Sequence, residues 1–400
     1  MELKKYRLGD CLELQRGYDL ASSQMQEGEV AVVGSNGIIG FHNIDRGNKP
    51  CITVGRSGSV GKVHYYERPT WVHNTALFVK DFKGNDPKYL YYFLKNLHLD
   101  KTFEKGSSVV PSLDRKVVHS LVVPFFKDVN DQRKIASALA LFDRKISLNK
   151  RINDNLEAMA KQLYDYWFVQ FDFPDGEGKP YKASGGKMVW NEKLKREIPE
   201  GWKACVLGDY IGRITNGLNP RKNFVLGNGN NYYVTIRSLV GTTIDWNNCD
   251  RCDDAALSKI NSRSQLQIGD IIFSAIGTIG RTYYILEEPT NWNISETSFT
   301  LRARENVPND FFYGMLRSDE IQIKADKAAM GSTLRCLVMN SLCSIQYVNI
   351  PNNLMQSFSA KVSPLYKQIY RNNNEIAELT KQRDELLPLL MNGQASVNAD

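Results

Sequence analysis

The feature that most constrains this chain is that it says the same thing twice. Leu8-Gly9-Asp10 returns as Leu207-Gly208-Asp209, and Gly58-Ser59-Val60-Gly61-Lys62 returns as Gly277-Thr278-Ile279-Gly280-Arg281. Pro69-Thr70-Trp71 has a partner in Pro289-Thr290-Asn291-Trp292, Gly106-Ser107-Ser108 in Gly331-Ser332-Thr333, and Val123-Pro124 in Ile350-Pro351. The marks are collinear, and small and basic residues replace their own kind. A tandem duplication follows, with about 20 extra residues inserted early in the second copy.

Beyond each Val/Ile-Pro mark the character changes to apolar residues at steps of three and four. The first seam reads Ile135, Leu139, Phe142, Ile146, Asn149, Asn153, Leu156, Ala160, Leu163, Trp167; the second reads Leu365, Ile369, Asn372, Ile376, Leu379, Arg383, Leu386, Leu390. Both predict heptad-like helices that need a partner, and each supplies one for the other as an antiparallel pair. From Asn130 to Phe168 the first helix would run on the order of 60 Å at 1.5 Å per residue, more than one small domain needs. Asn149 and Asn372 in the seam would weaken the pair while specifying its register.

Residues 171–200, rich in Gly, Pro and charge from Asp172-Phe173-Pro174 to Gly185-Gly186-Lys187, read as a linker. Short β-branched and aromatic runs (Val30 to Val33, Ile52 to Val54, Tyr232 to Ile236, Asp270 to Phe273) alternate with Gly turns and a short helix from Pro87 to Leu97, an α+β pattern with strands dominant. The predicted boundaries are 1–127 and 201–351 for the globular copies, 128–170 and 352–392 for the helices, and 393–400 for a tail. Lys and Arg number 51 against 44 Asp and Glu, a net charge of +7 that is compatible with a polyanionic partner without demanding one. No apolar run reaches the roughly 18 residues a membrane span needs. The first ten residues lack a secretory apolar core, and seven scattered cysteines form no framework, so a reducing cytoplasm is expected.

Three stretches imitate catalytic motifs. Gly55-Arg56-Ser57-Gly58-Ser59-Val60-Gly61-Lys62-Val63 resembles a phosphate-binding loop, but five residues separate Gly55 from Gly61 where four are required, and Val63 stands where a hydroxyl should bind magnesium. Pro174-Asp175-Gly176-Glu177-Gly178-Lys179 carries the letters of a metal-dependent nuclease, yet its carboxylates are neighbours in a linker rather than residues converging from separate strands. Cys249-Asp250-Arg251-Cys252 has no second pair, and all five histidines lie in the other half of the chain, so a four-ligand zinc site is not expected. An Asn-Pro-Pro-aromatic tetrapeptide, expected of an adenine methyltransferase, does not occur. Chemistry would have to come from a partner.

Two divergent domains, each followed by a long helix (the first opening Gln132-Arg133-Lys134-Ile135-Ala136), together with Phe171-Asp172-Phe173-Pro174, Gly185-Gly186-Lys187-Met188-Val189, Ile198-Pro199-Glu200-Gly201-Trp202 and Ser35-Asn36-Gly37-Ile38-Ile39-Gly40, resemble the specificity subunits of type I restriction-modification systems. The resemblance spans nearly the whole chain and lies in the order of parts; the second helix departs from it, opening with Met355-Gln356-Ser357-Phe358. It implies two pseudo-repeated α/β target-recognition domains separated by two long antiparallel helices that form a coiled-coil spacer. Each domain would read half of a split site in double-stranded DNA, and the helices would set the unread spacer and dock two methyltransferase subunits, with restriction-translocase subunits joining the assembly. Such a chain binds no cofactor: S-adenosylmethionine, ATP and magnesium serve the partners.

Chemistry then nominates contacts. Phosphate positioning suits Arg56, Lys62, Arg221, Lys222 and Arg281 beside Gly turns, with the small residues Ser57, Ser59 and Thr278 at the same turns. Base readout suits Asn36, Asn74, Ser108, Asn216, Arg237, Ser274, Thr333 and Arg335. Partner contacts are expected from Ile146, Leu156, Leu163, Ile369, Leu379 and Leu386. The alternative is a two-headed protein-protein scaffold of incidental charge, which predicts no footprint on DNA and little salt dependence; a self-contained nuclease is a more distant reading, testable by cleavage with magnesium.

Overall fold

A computed structural model describes residues 2–103, 112–221 and 223–397. The chain divides into two compact units, residues 1–148 with 376–400, and residues 149–375.

The first unit contains strands β1 (Leu3–Arg7), β2 (Glu13–Arg16), β3 (Val30–Gly34), β4 (Gly37–His42), β5 (Cys51–Gly55), β6 (Val63–Tyr66), β7 (Thr70–Val72), β8 (Ala76–Asp81) and β9 (Val122–Phe126). They form three sheets: β1-β9; β2-β8-β5-β6; and β4-β3-β7, in which β3 and β7 run parallel. Strand β5 is buried along its whole length, as its short apolar run, interrupted only by Thr53, predicts for a central strand. Helix Pro87–Asn96 starts on Asp86, whose carboxylate accepts the Tyr89 N–H at 2.9 Å, with Pro87 in the first turn; its face of Tyr89, Leu90, Phe93 and Leu94 enters the core.

After the first copy comes a hairpin of β10 (Met188–Asn191) and β11 (Arg196–Pro199), then β12 (Lys203–Val206), β13 (Ile211–Asn216), β14 (Asn231–Val234), β15 (Leu239–Val240), β16 (Thr243–Ile244), β17 (Asp250–Cys252), β18 (Ile271–Ser274), β19 (Thr282–Tyr284), β20 (Trp292–Ile294), β21 (Ser298–Ala303) and β22 (Gln346–Asn349). The sheets of the first copy recur: β12-β22, β13-β21-β18-β19, and β17-β14-β20 with β14 and β20 parallel. The duplication is therefore one of topology as well as of sequence landmarks. The extra residues fall in two places. Where β3 turns directly into β4, residues 235–249 intervene between β14 and β17 and contain the β15-β16 hairpin; helix Asp254–Ser264 follows β17 before β18.

Segment 171–200 is more ordered than its composition predicts. Phe173 is buried and stacks on Tyr181 and Trp202, with ring centroids 4.8 and 5.1 Å apart. Aromatic residues interleaved with the glycines supply the core that a tether lacks. Asp175, one letter of the nuclease-like run, accepts the N–H groups of Glu177 and Lys179 and so closes a turn.

Helices Val129–Tyr164 and Asn352–Met391 each contribute to both units. In the first unit Ile135, Ala136 and Leu139 share a core with Leu387, Leu390 and Met391, and Arg383 donates to Asp143 at 2.7 Å. In the second, Phe168, on the π-helical turn Asp165–Val169 that continues the first helix, packs on Phe358 at 5.2 Å between ring centroids, and Asn149 donates to Glu375 at 2.7 Å. The start of one helix meets the end of the other, so the pair is antiparallel, and the seam residues are buried or half-buried. The second helix continues through Pro364, an interruption costing about 3 kcal/mol; burial of Phe358, Val362, Tyr366 and Ile369 on either side opposes that cost. Gln132 anchors the first helix, donating to Asn85 and the Phe126 carbonyl and accepting from the Asp86 N–H. The second helix has a smaller polar anchor, Ser359, which donates to Asp310 at 3.2 Å. Among the described residues no helix is long and apolar enough to cross a membrane.

Candidate nucleic-acid interface

The repeated Gly turn has the same backbone wiring in both copies. Gly55 and Lys62 bond across it as Ser274 and Arg281 do, and Gly61 N–H donates to Gly55 as Gly280 N–H donates to Ser274. The N–H groups of Arg56 and Ser57 converge on the Thr75 carbonyl; those of Ala275 and Ile276 converge on Thr297. Leu113 donates to the Arg56 carbonyl and Leu337 to that of Ala275. Positive φ at Gly58 (82°), Gly61 (76°), Gly277 (81°) and Gly280 (89°) explains why glycine stands at these positions in both copies.

In the first unit the turn gathers Asn36, Arg56, Ser57, Ser59 and Lys62. Lys62 Nζ donates to Asn36 Oδ1 at 2.7 Å, tying the β3-β4 tip to the turn, and Ser35 N–H donates to Thr75 Oγ1. Asn36 and Lys62 are exposed, while Arg56, Ser57 and Ser59 are half-buried. Asn74 precedes Thr75 and donates to Asp19. His64, which sequence reasoning did not nominate, lies beside the same tip, its Cε1 3.7 Å from where a Cβ on Gly37 would stand. Burial holds its imidazole below the ordinary value, and the charge of Lys62 adds to the effect.

In the second unit the turn brings together Arg237, Ser274, Thr278, Arg281 and Arg335. Arg281 Nη1 donates to the carbonyls of Ile236 and Leu239, both at 3.0 Å, which places it beside Arg237. Ser274 is fully buried, accepting the Arg281 N–H and donating to the Thr278 carbonyl; it builds the turn and presents nothing outward. Gly277 N–H donates to the Arg335 carbonyl, and Arg335 Nη1 donates to both carboxylate oxygens of Asp326 at 2.8 Å. Thr278 and Thr333 are exposed.

Asn216 and Arg221 belong to a neighbouring patch. Asn216 accepts from Arg263 at 2.6 Å, and the Arg221 N–H donates to Asn219. Asn219 and Tyr233 both donate to Glu296, which precedes Thr297 as Asn74 precedes Thr75. Arg263 and Glu296 were missed; pairing Thr75 with Thr297 along the repeat would have found the second. Ser108 and Lys222 lie outside the described residues.

The six expected partner contacts occupy the seam between the chain's own helices. Ile146 and Ile369 are buried; Leu156, Leu163, Leu379 and Leu386 are half-buried. The first helix carries other apolar residues outward at heptad spacing: Leu141 and Leu148 in the first unit are 63% and 53% exposed, and Ile152 and Met159 in the second are 36% and 54% exposed. Among the described residues no group of three His, Cys, Asp or Glu is placed to hold a metal, and Cys249 and Cys252 are free thiols.

Residues 1–158 match the family described as the type I restriction modification DNA specificity domain. The specificity subunit of the type I restriction enzyme MjaIX from Methanocaldococcus jannaschii is 28% identical over 315 residues, covering 78% of this chain and 69% of its own. That of HindI from Haemophilus influenzae is 24% identical over 360 residues, covering 77% of each. In fold, the crystal structure of a type I restriction-modification S subunit from M. genitalium matches 98% of this chain and 96% of its own with a TM-score of 0.55 at 17% identity. With its repeated sheets and paired long helices, the chain is similar over most of its length to the specificity subunits of type I restriction enzymes.

Proposed function

We propose that residues 1–127 and 201–351 each read one half of an asymmetric, split sequence in double-stranded DNA, while the helices at 128–170 and 352–392 fix the unread spacer and dock two methyltransferase subunits. Restriction-translocase subunits complete the assembly, which works in the cytoplasm. The chain supplies the address and performs no catalysis; S-adenosylmethionine, ATP and magnesium belong to its partners.

The observation that carries this reading is the Gly turn wired identically in two units, with Lys62 and Asn36 at one and Arg281 and Arg237 at the other. Exposed cations beside small residues suit phosphates, and amides and guanidinium groups suit base edges. The side chains around the two turns differ while the backbone is shared, as expected of a scaffold that reads two unlike half-sites. Leu141 with Leu148, and Ile152 with Met159, are the outward apolar positions from which docking is expected, since the seam positions are occupied by the chain's own helices.

Footprinting of the chain assembled with its methyltransferase subunit tests the proposal. Two protected patches about one helical turn apart are expected, with affinity falling steeply as salt rises. Absence of protection, with partner binding insensitive to salt, would favour the scaffold reading instead.

A further inference from the structure

The β15-β16 hairpin exists only in the second copy, and its turn residue Thr242 is held by both long helices. Thr242 Oγ1 donates to Glu157 Oε1 at 3.2 Å and accepts from Asn373 Nδ2 at 3.3 Å. Neither anchor is loose. Glu157 Oε2 accepts from Arg317 Nη2 at 2.6 Å, and Arg317 Nη1 donates to the Tyr313 hydroxyl at 2.8 Å. Asn373 Oδ1 accepts from Asn153 at 2.8 Å, and Asn153 Oδ1 accepts from Asn372 at 2.7 Å, a buried amide relay across the helix seam.

At its other end the hairpin reaches the recognition turn. Leu239 and Ile244 are buried in a core with Val234, Ile272 and Ile294, whereas Val240 at the tip is 54% exposed. The Leu239 carbonyl is one of the two that receive Arg281 Nη1, and Arg237 lies one residue before Ser238, whose carbonyl receives the Asp245 N–H across the hairpin base. A cleft of about 430 Å³ lined by Leu239, Val240, Gly241, Arg281 and Arg317 separates the hairpin tip from the turn. With open space on that side, the two bonds at Thr242 are what tie the tip to the long helices.

Resting on the DNA-reading function proposed above, we propose that Thr242, clamped by Glu157 and Asn373, is a positioning residue for the second half-site: it fixes the hairpin whose Leu239 carbonyl orients Arg281 beside Arg237. The inserted hairpin is thus a strut that refers one recognition surface to the helix seam, and the first domain, whose β3 turns directly into β4, has no counterpart.

The test compares Thr242→Val, which keeps the shape and removes both bonds, with Thr242→Ser, which keeps the hydroxyl. Each is assembled with the methyltransferase subunit, and methylated bases are mapped by single-molecule sequencing. Losing one or two hydrogen bonds predicts that T242V raises methylation at sites with a single mismatch in the second half on the order of three- to tenfold relative to cognate sites. The first half and the spacer stay unchanged, and T242S behaves as the parent. Selectivity unchanged in T242V, a uniform loss of methylation at all sites, or equal relaxation of both halves each overturns the inference. If the parent complex modifies no split motif at all, the underlying reading has failed instead. Hydrogen exchange on the full chain gives a second readout that needs no assembly: T242V should speed exchange at residues 238–244 by a similar factor, and unchanged exchange there overturns the proposal.

Discussion

Replacing Asn153 by leucine should destabilise the helix seam, and replacing Asn153 and Asn372 together should restore it. Both residues are 5% exposed, and Asn372 Nδ2 donates to Asn153 Oδ1 at 2.7 Å. Asn153→Leu strands that buried donor at about 1–3 kcal/mol and also removes the donor to Asn373, a half-buried group that reaches water and loses less. The new side chain returns about 1.5 kcal/mol of apolar burial, so a net loss of about 1–2 kcal/mol is expected. Asn372→Leu strands Asn153 Oδ1 in the same way. In the double variant neither buried group is left without a partner. The remaining unpaired atoms belong to Asn373 and to the exposed Gln368, so the cost should fall to near zero or change sign. The double-mutant coupling should then be at least about 2 kcal/mol, well beyond the additivity of independent sites. Because two units need not unfold together, the assay is native-state hydrogen exchange, read as opening free energies of amides in residues 150–160. Additive effects within about 0.5 kcal/mol would refute the claim that the two amides act as one buried unit.

Three further outcomes follow from the first unit and the repeated turn. Gly61→Ala should cost more than Gly280→Ala: both meet the positive-φ penalty of about 1–2 kcal/mol, but a Cβ at Gly61 lies 2.2 Å from the Asp100 backbone nitrogen, whereas one at Gly280 meets the far end of Gln322; equal losses in thermal unfolding would count against this geometry. The Leu14 N–H donates to His119 Nε2 at 2.9 Å, and burial, with Arg115 adding, lowers the His119 pKa, so the neutral ring is the folded form. A base whose folded value lies below its unfolded value, near 6.5, contributes stability that is fully present above about pH 6.5 and is lost as pH falls below it; melting temperatures at pH 7.5 and 5.5 should diverge in the parent and diverge less in His119→Gln, where His64 still contributes, and an equal divergence in the two would contradict it. Lys62→Ala should reduce the slope of log affinity against log salt by about one and release Asn36, while Lys179→Ala, in the segment between the copies, leaves the slope unchanged; identical slopes for the two would remove Lys62 from the interface.

How much of this was legible in the residues depends on how local the cause was. The duplication was legible because the Gly turn needs glycine at fixed positions, and positive φ at Gly58, Gly61, Gly277 and Gly280 is written directly into residue type. The seam was legible because burial on one helix face leaves a period; Asn149, Asn153 and Asn372 sit inside it as the spacing predicts. Segment 171–200 was not, since its glycines and prolines speak locally while the stack of Phe173 on Tyr181 and Trp202 is made over distance. The site was the least legible. Ser274 has the chemistry of a base contact and spends it on its own turn, and Glu296 occupies the place of Asn74 with the opposite hydrogen-bonding sense. A hydroxyl or carboxylate does not declare in sequence whether its partners are its neighbours or a ligand.

The most direct test of the central claim is to express the chain with its methyltransferase subunit, map methylated adenines across a host genome by single-molecule sequencing, and repeat the map with substitutions confined to one domain. The account predicts one split motif with a fixed spacer, with Asn36→Ala altering recognition of one half only and Arg237→Ala the other, while Lys62→Ala and Arg281→Ala lower methylation without changing the motif. No methylation, a continuous motif, or a motif indifferent to changes in either domain would contradict it.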